Sequence, residues 1–174
     1  ERVFFVAVRN DIDVPPLKLA PTHRWISAGE ATSDVQVLTD EEKHDSRPRE
    51  SDLLWWKDTP QGESYGKAVA KVRGKESLFQ HARLHQSRPA PTLSANSHVF
   101  THWSECRKLT YREWKRLGSF PDDYHAKTDK IGKYMIGMSV PPKMTEQVAR
   151  AVCEQWLNVN YSELSNDNQA QNPH

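Results

Sequence analysis

Two cysteines, Cys106 and Cys153, carry the thiols of the chain and are its candidates for a sulfur nucleophile. A catalytic thiol needs neighbours that lower its pKa, and the sequence around neither cysteine supplies them. The two residues lie far apart and form no Cys-x-x-Cys pair, which argues against a disulfide framework and against a cysteine-rich zinc site. We therefore interpret both cysteines as structural and expect a reducing compartment.

Histidine spacing offers a second possible chemistry. His81 and His85 are four residues apart, as are His98 and His102, and Cys106 continues the second spacing. On a helix each pair would place two imidazoles on one face, as in a zinc-stabilised nucleic-acid-binding module. Prolines between the two pairs argue against one continuous helix, and exposed histidines near DNA are the alternative interpretation. We predict no metal site.

Basic residues are concentrated in two segments, although the formal net charge is only +1. The first segment contains Lys67, Lys71, Arg73, Lys75, Arg83 and Arg88. The second contains Arg107, Lys108, Arg112, Lys115 and Arg116. Such segments can neutralise phosphates and supply the salt-dependent part of DNA affinity. The alternative is two solvated faces of an ordinary surface.

The elements that must position these residues are short and varied. Val3–Val8 is a continuous apolar run and predicts a buried strand. Prolines and charged residues predict a long, loop-rich segment from Asp13 to about Pro60, in which Leu53–Trp56 is a local hydrophobic anchor. Residues 65–84 fit either helix or strands. Residues 87–93 must be extended because of their prolines.

One helix is marked at both of its ends. Thr110-Tyr-Arg-Glu113 is a capping box, in which the Thr110 hydroxyl and the Glu113 carboxylate each accept from the other residue's backbone N–H. The helix should therefore begin after Thr110, run to about Leu117 and end at Gly118. Phe120–Asp123 then predicts a turn.

A second helix should begin after Thr145, with Glu146 at its positive end. Its apolar face would consist of Val148, Ala151, Val152 and Trp156. We expect this face to be only partly covered within the chain. Residues 158–174 are mostly polar and predict a disordered tail.

Composition limits the class of protein. Among the 174 residues only 36% are hydrophobic and the mean hydropathy is −0.82, so the core is small for the length. No run of about 18 apolar residues is present, which argues against a membrane span. The chain starts at Glu1 without an initiator Met or a basic leader, and we expect a cytoplasmic protein whose beginning lies upstream.

Residues 107–124, R-K-L-T-Y-R-E-W-K-R-L-G-S-F-P-D-D-Y, resemble the ninth conserved motif of DNA (cytosine-5) methyltransferases. In that family the motif has the form R-x-L-T-x-R-E-x-x-R-L-x-x-F-P-D, and its helix holds the target-recognition region against the catalytic domain. Residues 133–142, K-Y-M-I-G-M-S-V-P-P, resemble the tenth motif, usually Y-x-x-x-G-N-x-V-x-P. Met138 stands at the position of the usual Asn.

Two further segments resemble parts of the same family. Glu1–Val6 is similar to the end of the eighth motif, and Arg2 matches the arginine that approaches the flipped cytosine. Arg88–Leu93, R-P-A-P-T-L, resembles a stretch of compact target-recognition regions in bacterial and phage enzymes. The Gly-rich cofactor loop, the Pro-Cys loop with the nucleophile and the Glu-Asn-Val segment have no counterpart in these residues.

The resemblance implies an α/β fold, the C-terminal portion of a doubly wound methyltransferase domain joined to a small irregular target-recognition region. Residues 1–10 would be the end strand of the catalytic domain and residues 11–106 the target-recognition region. Residues 107–157 would complete the catalytic domain. The tail, residues 158–174, would lie outside both.

The implied activity is methyl transfer from S-adenosyl-L-methionine to C5 of cytosine in duplex DNA after base flipping, as in restriction-modification systems. Without the nucleophile loop this part would be inactive alone, and its partner would be the N-terminal catalytic half, in the same chain or as a separate subunit. The implied site residues are Arg2 for catalysis, Gly137, Met138, Ser139 and Val140 for the cofactor, and Arg73, Arg83, Arg88, Arg107 and Arg116 for DNA. The alternative is a zinc-stabilised or degenerate DNA-binding module without catalysis.

Overall fold

A computed structural model describes residues 3–20, 24–35, 37–75, 81–95 and 99–157. The elements in chain order are α1 (Ala28–Ala31), α2 (Asp40–Asp45), α3 (Glu50–Trp55), α4 (Tyr65–Arg73), β1 (Ala82–Arg83), β2 (Phe100–Thr101), α5 (Tyr111–Leu117), α6 (Asp129–Met138) and α7 (Pro142–Trp156). They belong to two compact units, one of residues 25–141 and one of residues 1–24 with 142–174. The chain therefore has mixed helix and sheet content.

The sheet of the larger unit is a short parallel pair of strands. Ala82 of β1 lies opposite Phe100 of β2, and the pair continues at Arg83 and Thr101. Residues 65–84 fit helix or strands by pattern, and the structure uses both, with α4 followed by β1. Residues 89–94 form neither helix nor strand, as their prolines predict, whereas residues 86–88 form a turn and bend.

The core of the larger unit lies around α5. Trp114 is fully buried, and it packs in one cluster with the other buried residues. That cluster contains Ala28, Leu84, Leu93, Val99, Phe100, Trp103, Leu109, Tyr111, Trp114 and Ile136. Helix α6 contacts α5 closely because Gly132 leaves room for the ring of Tyr111, which an added Cβ would overlap. Most of this cluster comes from residues far apart in sequence, so α5 is held by long-range packing.

The segment predicted to be loop-rich contains three short helices. Helix α2 begins at a full capping box, in which Thr39 accepts from the Glu42 N–H at 3.2 Å and Glu42 accepts from the Thr39 N–H at 2.9 Å. Ser27 caps α1 in the same way, accepting from Glu30 at 3.2 Å. The prediction of irregular structure was wrong at these points, because local capping outweighs the polar composition.

Helix α5 confirms the prediction made from its capping box. The Thr110 hydroxyl accepts from the Glu113 N–H at 3.2 Å, and the Glu113 carboxylate accepts from the Thr110 N–H at 2.7 Å. The helix ends at Leu117 with Gly118 as its C-cap. The turn that follows is also as predicted, since the Tyr124 N–H donates to the Pro121 carbonyl at 3.2 Å.

The smaller unit joins α7 to an extended segment near the beginning of the chain. The Trp156 indole N–H donates to the Pro15 carbonyl at 2.8 Å, and the Gln155 amide both donates to and accepts from the backbone of Lys18. The predicted start of α7 after Thr145 was wrong, because the helix begins at Pro142. Proline suits the first turn of a helix, where its missing N–H costs no hydrogen bond.

The prediction of a buried strand at the beginning of the chain was wrong. Residues 3–9 form no strand with other described residues, and the side chains of Val3 and Phe5 are 70% and 96% exposed. An apolar run becomes a buried strand only where a neighbouring strand and a covering layer exist. The compact units divide after Pro141, and α5 and α6 share one core with earlier residues of the larger unit. The predicted domain boundaries at residues 10, 106 and 157 stay predictions. Residues 158–174 lie outside the described residues.

Candidate functional site

Arg107 is the central charged residue of the larger unit. Its Nη1 and Nη2 atoms donate to the Glu113 carboxylate at 2.9 and 2.8 Å, and its Nε donates to Glu105 at 2.6 Å. Arg107 is 9% exposed and Glu113 only 1%. Burial opposes the charge, but the hydrogen bonds to Glu113 outweigh it and raise the pKa of Arg107 above its ordinary value. This guanidinium is therefore neutralised inside the protein, where it has a structural role, and the DNA contact predicted for Arg107 stays a prediction.

Two more arginines of α5 tie that helix to the preceding chain. Arg116 donates to Asp34 at 2.5 Å and to Asp122 at 2.8 Å, and its hydrogen bonds lower the pKa of both carboxyl groups. Arg112 donates to Glu42 at 2.6 Å. This pairing fastens α5 to residues 34–42, and the DNA contact predicted for Arg116 stays a prediction.

Arg83 is held by the backbone of the protein. Its guanidinium donates to the carbonyl of Trp103 at 2.8 and 2.6 Å and to that of Thr59 at 3.0 Å, and it stacks over the Trp56 ring at 3.8 Å. Burial lowers the pKa of this guanidinium. Arg83 thus holds β1 against the end of α3, and the DNA contact predicted for it stays a prediction. Trp56 therefore packs within the protein, as predicted for the hydrophobic anchor Leu53–Trp56. Leu53 of the same segment is 62% exposed and does not.

Arg73 and Arg88 are the two predicted DNA contacts that face solvent. Arg73 lies at the end of α4, with its guanidinium 5.8 Å from the centre of the Trp55 ring. Arg88 is exposed and has no ion pair with another described residue. A cation without a carboxylate partner remains available to a phosphate or a base edge, so the DNA-contact prediction for these two residues stands as a prediction.

An open groove of about 790 Å³ lies beside Arg88. It is lined by Trp25, Ser27, Gly29, Glu30, Gln86, Ser87, Arg88 and Pro89. Trp25 is 80% exposed there, which is unusual for so large an apolar side chain. Trp25 and Gln86 were not predicted from the sequence, because no local pattern shows that α1 and residues 86–89 share one surface.

The segment predicted to bind a cofactor connects α6 to α7. Gly137 is buried, and a Cβ at this position would overlap the backbone of Ser94 and Ala95. The close backbone approach that this glycine permits is therefore made by the chain itself. The Ser139 hydroxyl donates to the Met135 carbonyl at 2.7 Å, so its proton is not directed at an external carboxylate.

Met138 and Val140 fit a cofactor pocket better than their neighbours do. Met138 is 64% exposed and Val140 is half-buried, so both can offer apolar contacts. Cofactor binding by this segment stays a prediction.

A buried lysine that the sequence analysis missed supports the same region. Lys133 of α6 is 7% exposed, and its Nζ donates to the Leu109 carbonyl at 2.7 Å. Burial lowers the pKa of this amine, and burial likewise raises the pKa of the neighbouring Asp129 carboxyl. The hydrogen bond joins α6 to Leu109, the residue before the N-cap of α5. Because the two residues are 24 positions apart, the sequence alone does not predict this contact.

The chain matches a family model described as C-5 cytosine-specific DNA methylase over residues 1–154. The chain belongs to this family. The resemblance seen in residues 107–124 and 133–142 is thereby confirmed at the level of the family.

Three curated relatives of this methylase chain are type II methyltransferases. M.BbvI of Brevibacillus brevis is 29% identical over 94% of the chain and 47% of its own length. M.NgoFVII of Neisseria gonorrhoeae is 29% identical over 87% of the chain and 45% of its own length. M.AquIB of a Picosynechococcus species is 34% identical over 45% of the chain and 66% of its own length. The chain spans less than half the length of the first two.

The nucleophile of a cytosine-5 methylase is not recognisable among the described thiols. Cys106 is half-buried, and burial raises the pKa of its thiol, the opposite of what a nucleophile needs. Cys153 lies half-buried in α7 of the smaller unit. Arg2, predicted to act on the cytosine, lies outside the described residues.

The histidines do not have the arrangement that the zinc interpretation assumed. His81 precedes strand β1 and His85 follows it, so the pair does not lie on a helical face. His102 stacks on the Trp103 ring at 3.8 Å, while His98 lies outside the described residues. Among the described residues, no three His, Cys, Asp or Glu side chains are grouped so that they could hold a metal ion. In the same part of the chain, no helix is long and apolar enough to cross a membrane.

Proposed function

We propose that this chain is the C-terminal DNA-recognition and cofactor-closing part of a DNA (cytosine-5) methyltransferase. The complete enzyme transfers a methyl group to C5 of cytosine in duplex DNA. In this proposal the chain supplies the last part of a doubly wound domain together with the target-recognition region. The nucleophile comes from an N-terminal catalytic half that carries a Pro-Cys loop.

The observation that carries the proposal is the arginine-stapled helix α5, taken with the family match. Arg112 and Arg116 bind Glu42 and Asp34, and so they join α5 to residues 34–42. Arg107, which precedes α5, binds Glu113 in the first turn of that helix. The ninth motif in this family holds the recognition region against the catalytic domain. A rigid helix tied on one side to residues of the recognition region is suited to that task.

Cytosine methylation at C5 requires the base to leave the helix stack, which costs roughly a few kcal/mol and is repaid by contacts in a pocket. A thiolate of the catalytic half then attacks C6, which makes C5 nucleophilic. We assign Arg2 to the cytosine, because a guanidinium can stabilise negative charge that develops on the base.

S-adenosyl-L-methionine supplies the methyl group when it is bound. Met138 and Val140 are the residues of this chain that fit the pocket, through apolar contacts. Gly137 and Ser139 support these two residues. Gly137 allows the Ser94 backbone to pack closely, and the Ser139 hydroxyl donates to the Met135 carbonyl at the end of α6. Met138 at the usual Asn position gives the pocket an apolar side chain in place of an amide.

DNA contacts of the phosphate type are assigned to Arg73 and to lysines near it on α4. Lys67 and Lys71 are exposed on the same helix, and Lys67 is 2.9 Å from Glu63. Arg83, Arg107 and Arg116 contribute indirectly, by holding the surface in shape. The catalytic half lies in the same chain or in a second polypeptide.

Methyl transfer from labelled S-adenosyl-L-methionine to duplex DNA tests the proposal. The assay compares this chain alone, the catalytic half alone, and the two together or in one polypeptide. Activity only in the combined sample is the expected result. Activity of this chain alone would show that one of its own cysteines is the nucleophile and would refute the proposal. DNA binding without methyl transfer by the combined sample would instead identify a degenerate binding module.

A further inference from the structure

The turn of residues 85–88 has a backbone that is fixed from both sides. The Gly29 N–H donates to the Gln86 carbonyl at 2.9 Å, and the Ala28 N–H donates to the Arg88 carbonyl at 2.8 Å. The N–H groups of Gln86 to Arg88 also have protein partners, at 3.0 to 3.3 Å. The turn therefore needs no further ligand to hold its shape.

Three side chains of the same turn are left free. Gln86, Ser87 and Arg88 are all exposed. Neither the side-chain amide of Gln86 nor the guanidinium of Arg88 has a hydrogen bond with another described side chain. This differs from Arg83 and Arg107, whose guanidinium groups are saturated by carbonyls and carboxylates. A fixed backbone with free donors and acceptors is pre-organised for binding, since little is lost in ordering it.

The groove beside this turn has the chemistry of base recognition more than of phosphate binding. Arg88 lines it together with the acidic Glu30, and the exposed Trp25 adds an apolar wall. A mixture of donor, acceptor and apolar groups matches the base edges of the major groove. In that groove Arg pairs with the O6 and N7 atoms of guanine, and Gln pairs with the N6 and N7 atoms of adenine.

We propose that the turn of residues 85–88 reads the DNA target, with Arg88 contacting a guanine and Gln86 an adenine in neighbouring base pairs. This inference rests on the proposed function and adds to it the element that determines specificity. Gly29 is a positioning residue for it, because a Cβ there would lie 2.6 Å from the Gln86 Cγ atom and would push the turn outward.

The test uses the complete methyltransferase with both halves present. Methylated cytosines are mapped on plasmid DNA by bisulfite sequencing, which reveals the wild-type target directly. The same mapping is then made for Arg88→Lys, Arg88→Ala, Gln86→Ala and Gly29→Ala. Arg47→Ala is the matched control, because Arg47 is also exposed and lies in a different pocket.

The turn variants are expected to methylate sequences that differ from the wild-type target at one base pair. Rates on matched and substituted duplexes should show that Arg88→Lys and Arg88→Ala lose on the order of ten- to a hundredfold in discrimination at a guanine. Gln86→Ala should do the same at an adenine. Gly29→Ala should relax both positions although it removes no donor. Arg47→Ala should keep the wild-type target.

Other outcomes would overturn the inference. If Arg88→Ala lowers methylation equally on all sequences and reduces the salt dependence of binding, Arg88 contacts phosphate and reads no base. An unchanged target in both the Arg88 and the Gln86 variants would place base reading elsewhere. If the wild-type complete protein methylates no DNA, the proposed function itself fails. Arg88→Lys keeps the positive charge. Unfolding of Arg88→Ala that is caused by loss of that charge is therefore recognised by comparison with Arg88→Lys.

Discussion

Removal of the Glu113 carboxylate should destabilise the larger unit more than any surface ion pair does. Glu113 accepts two hydrogen bonds from Arg107 and one from the Thr110 N–H, at 2.7 to 2.9 Å, and it is 1% exposed. Glu113→Ala would leave the buried Arg107 with the Lys108 carbonyl and with Glu105, whose side chain is 60% exposed. Breaking a buried pair by removing one partner costs about 3–5 kcal/mol, and the lost cap contributes to that cost.

Urea unfolding followed by tryptophan fluorescence measures this loss, because Trp114 is completely buried in the same core. A loss of about 3–5 kcal/mol is a large part of the 5–15 kcal/mol that typical domains possess. Arg112→Ala is the matched control, since its partner Glu42 lies at 2.6 Å but the Arg112 side chain is 40% exposed. Such a pair contributes about 0–1 kcal/mol.

The double variant Arg107→Met with Glu113→Leu gives a second check on the same reasoning. It removes both charges together, so it should be less destabilised than Glu113→Ala. If Glu113→Ala loses no more stability than Arg112→Ala, the buried pair does not hold the cap, and the structural role assigned to Arg107 is wrong.

Three further predictions concern other parts of the larger unit. Burial lowers the pKa of His102 from 6.5 to about 4, so the folded state disfavours protonation of this imidazole. The free energy of unfolding should therefore fall by on the order of 3 kcal/mol as the pH drops from about 6.5 to about 4. Urea titrations of His102→Gln should lack this part of the fall. Gly137→Ala should cost about 1–3 kcal/mol in thermal unfolding, because the new Cβ overlaps the Ser94 backbone; an unchanged Tm would contradict the close approach. Arg83→Lys should lower stability by about 1–3 kcal/mol, because an ammonium cannot replace the forked contact with the Trp103 carbonyl; equal urea midpoints for the two proteins would exclude that role.

Local patterns in the sequence determined the best-marked helix and the family. Helix α5 begins and ends as predicted because a capping box and a terminal glycine act over three or four residues. The same capping pattern stands at Thr39–Glu42, where the charged composition of the stretch nevertheless favours a loop. The order of the ninth and tenth motifs also sufficed to identify the family, which the match over residues 1–154 confirmed.

The availability of each charged side chain was decided only by tertiary structure. By composition Arg83, Arg88 and Arg107 are equivalent cations, yet Arg83 meets the carbonyl of Trp103 and Arg107 meets the carboxylate of Glu113, whereas Arg88 remains exposed. Whether a guanidinium is neutralised depends on which residues the fold brings within about 3 Å of it. For Arg83 that partner is Trp103, and for Arg107 it is Glu113 on the helix that follows; no spacing along the chain encodes these distances.

The same reason explains Gly137. A glycine in a motif shows that something approaches the backbone closely, and only the fold shows that the neighbour is the Ser94 loop. The sequence alone therefore determined which short elements form and to which family the chain belongs. Tertiary packing decided which residues face one another and which remain free to meet DNA, because those contacts join segments that are remote in sequence.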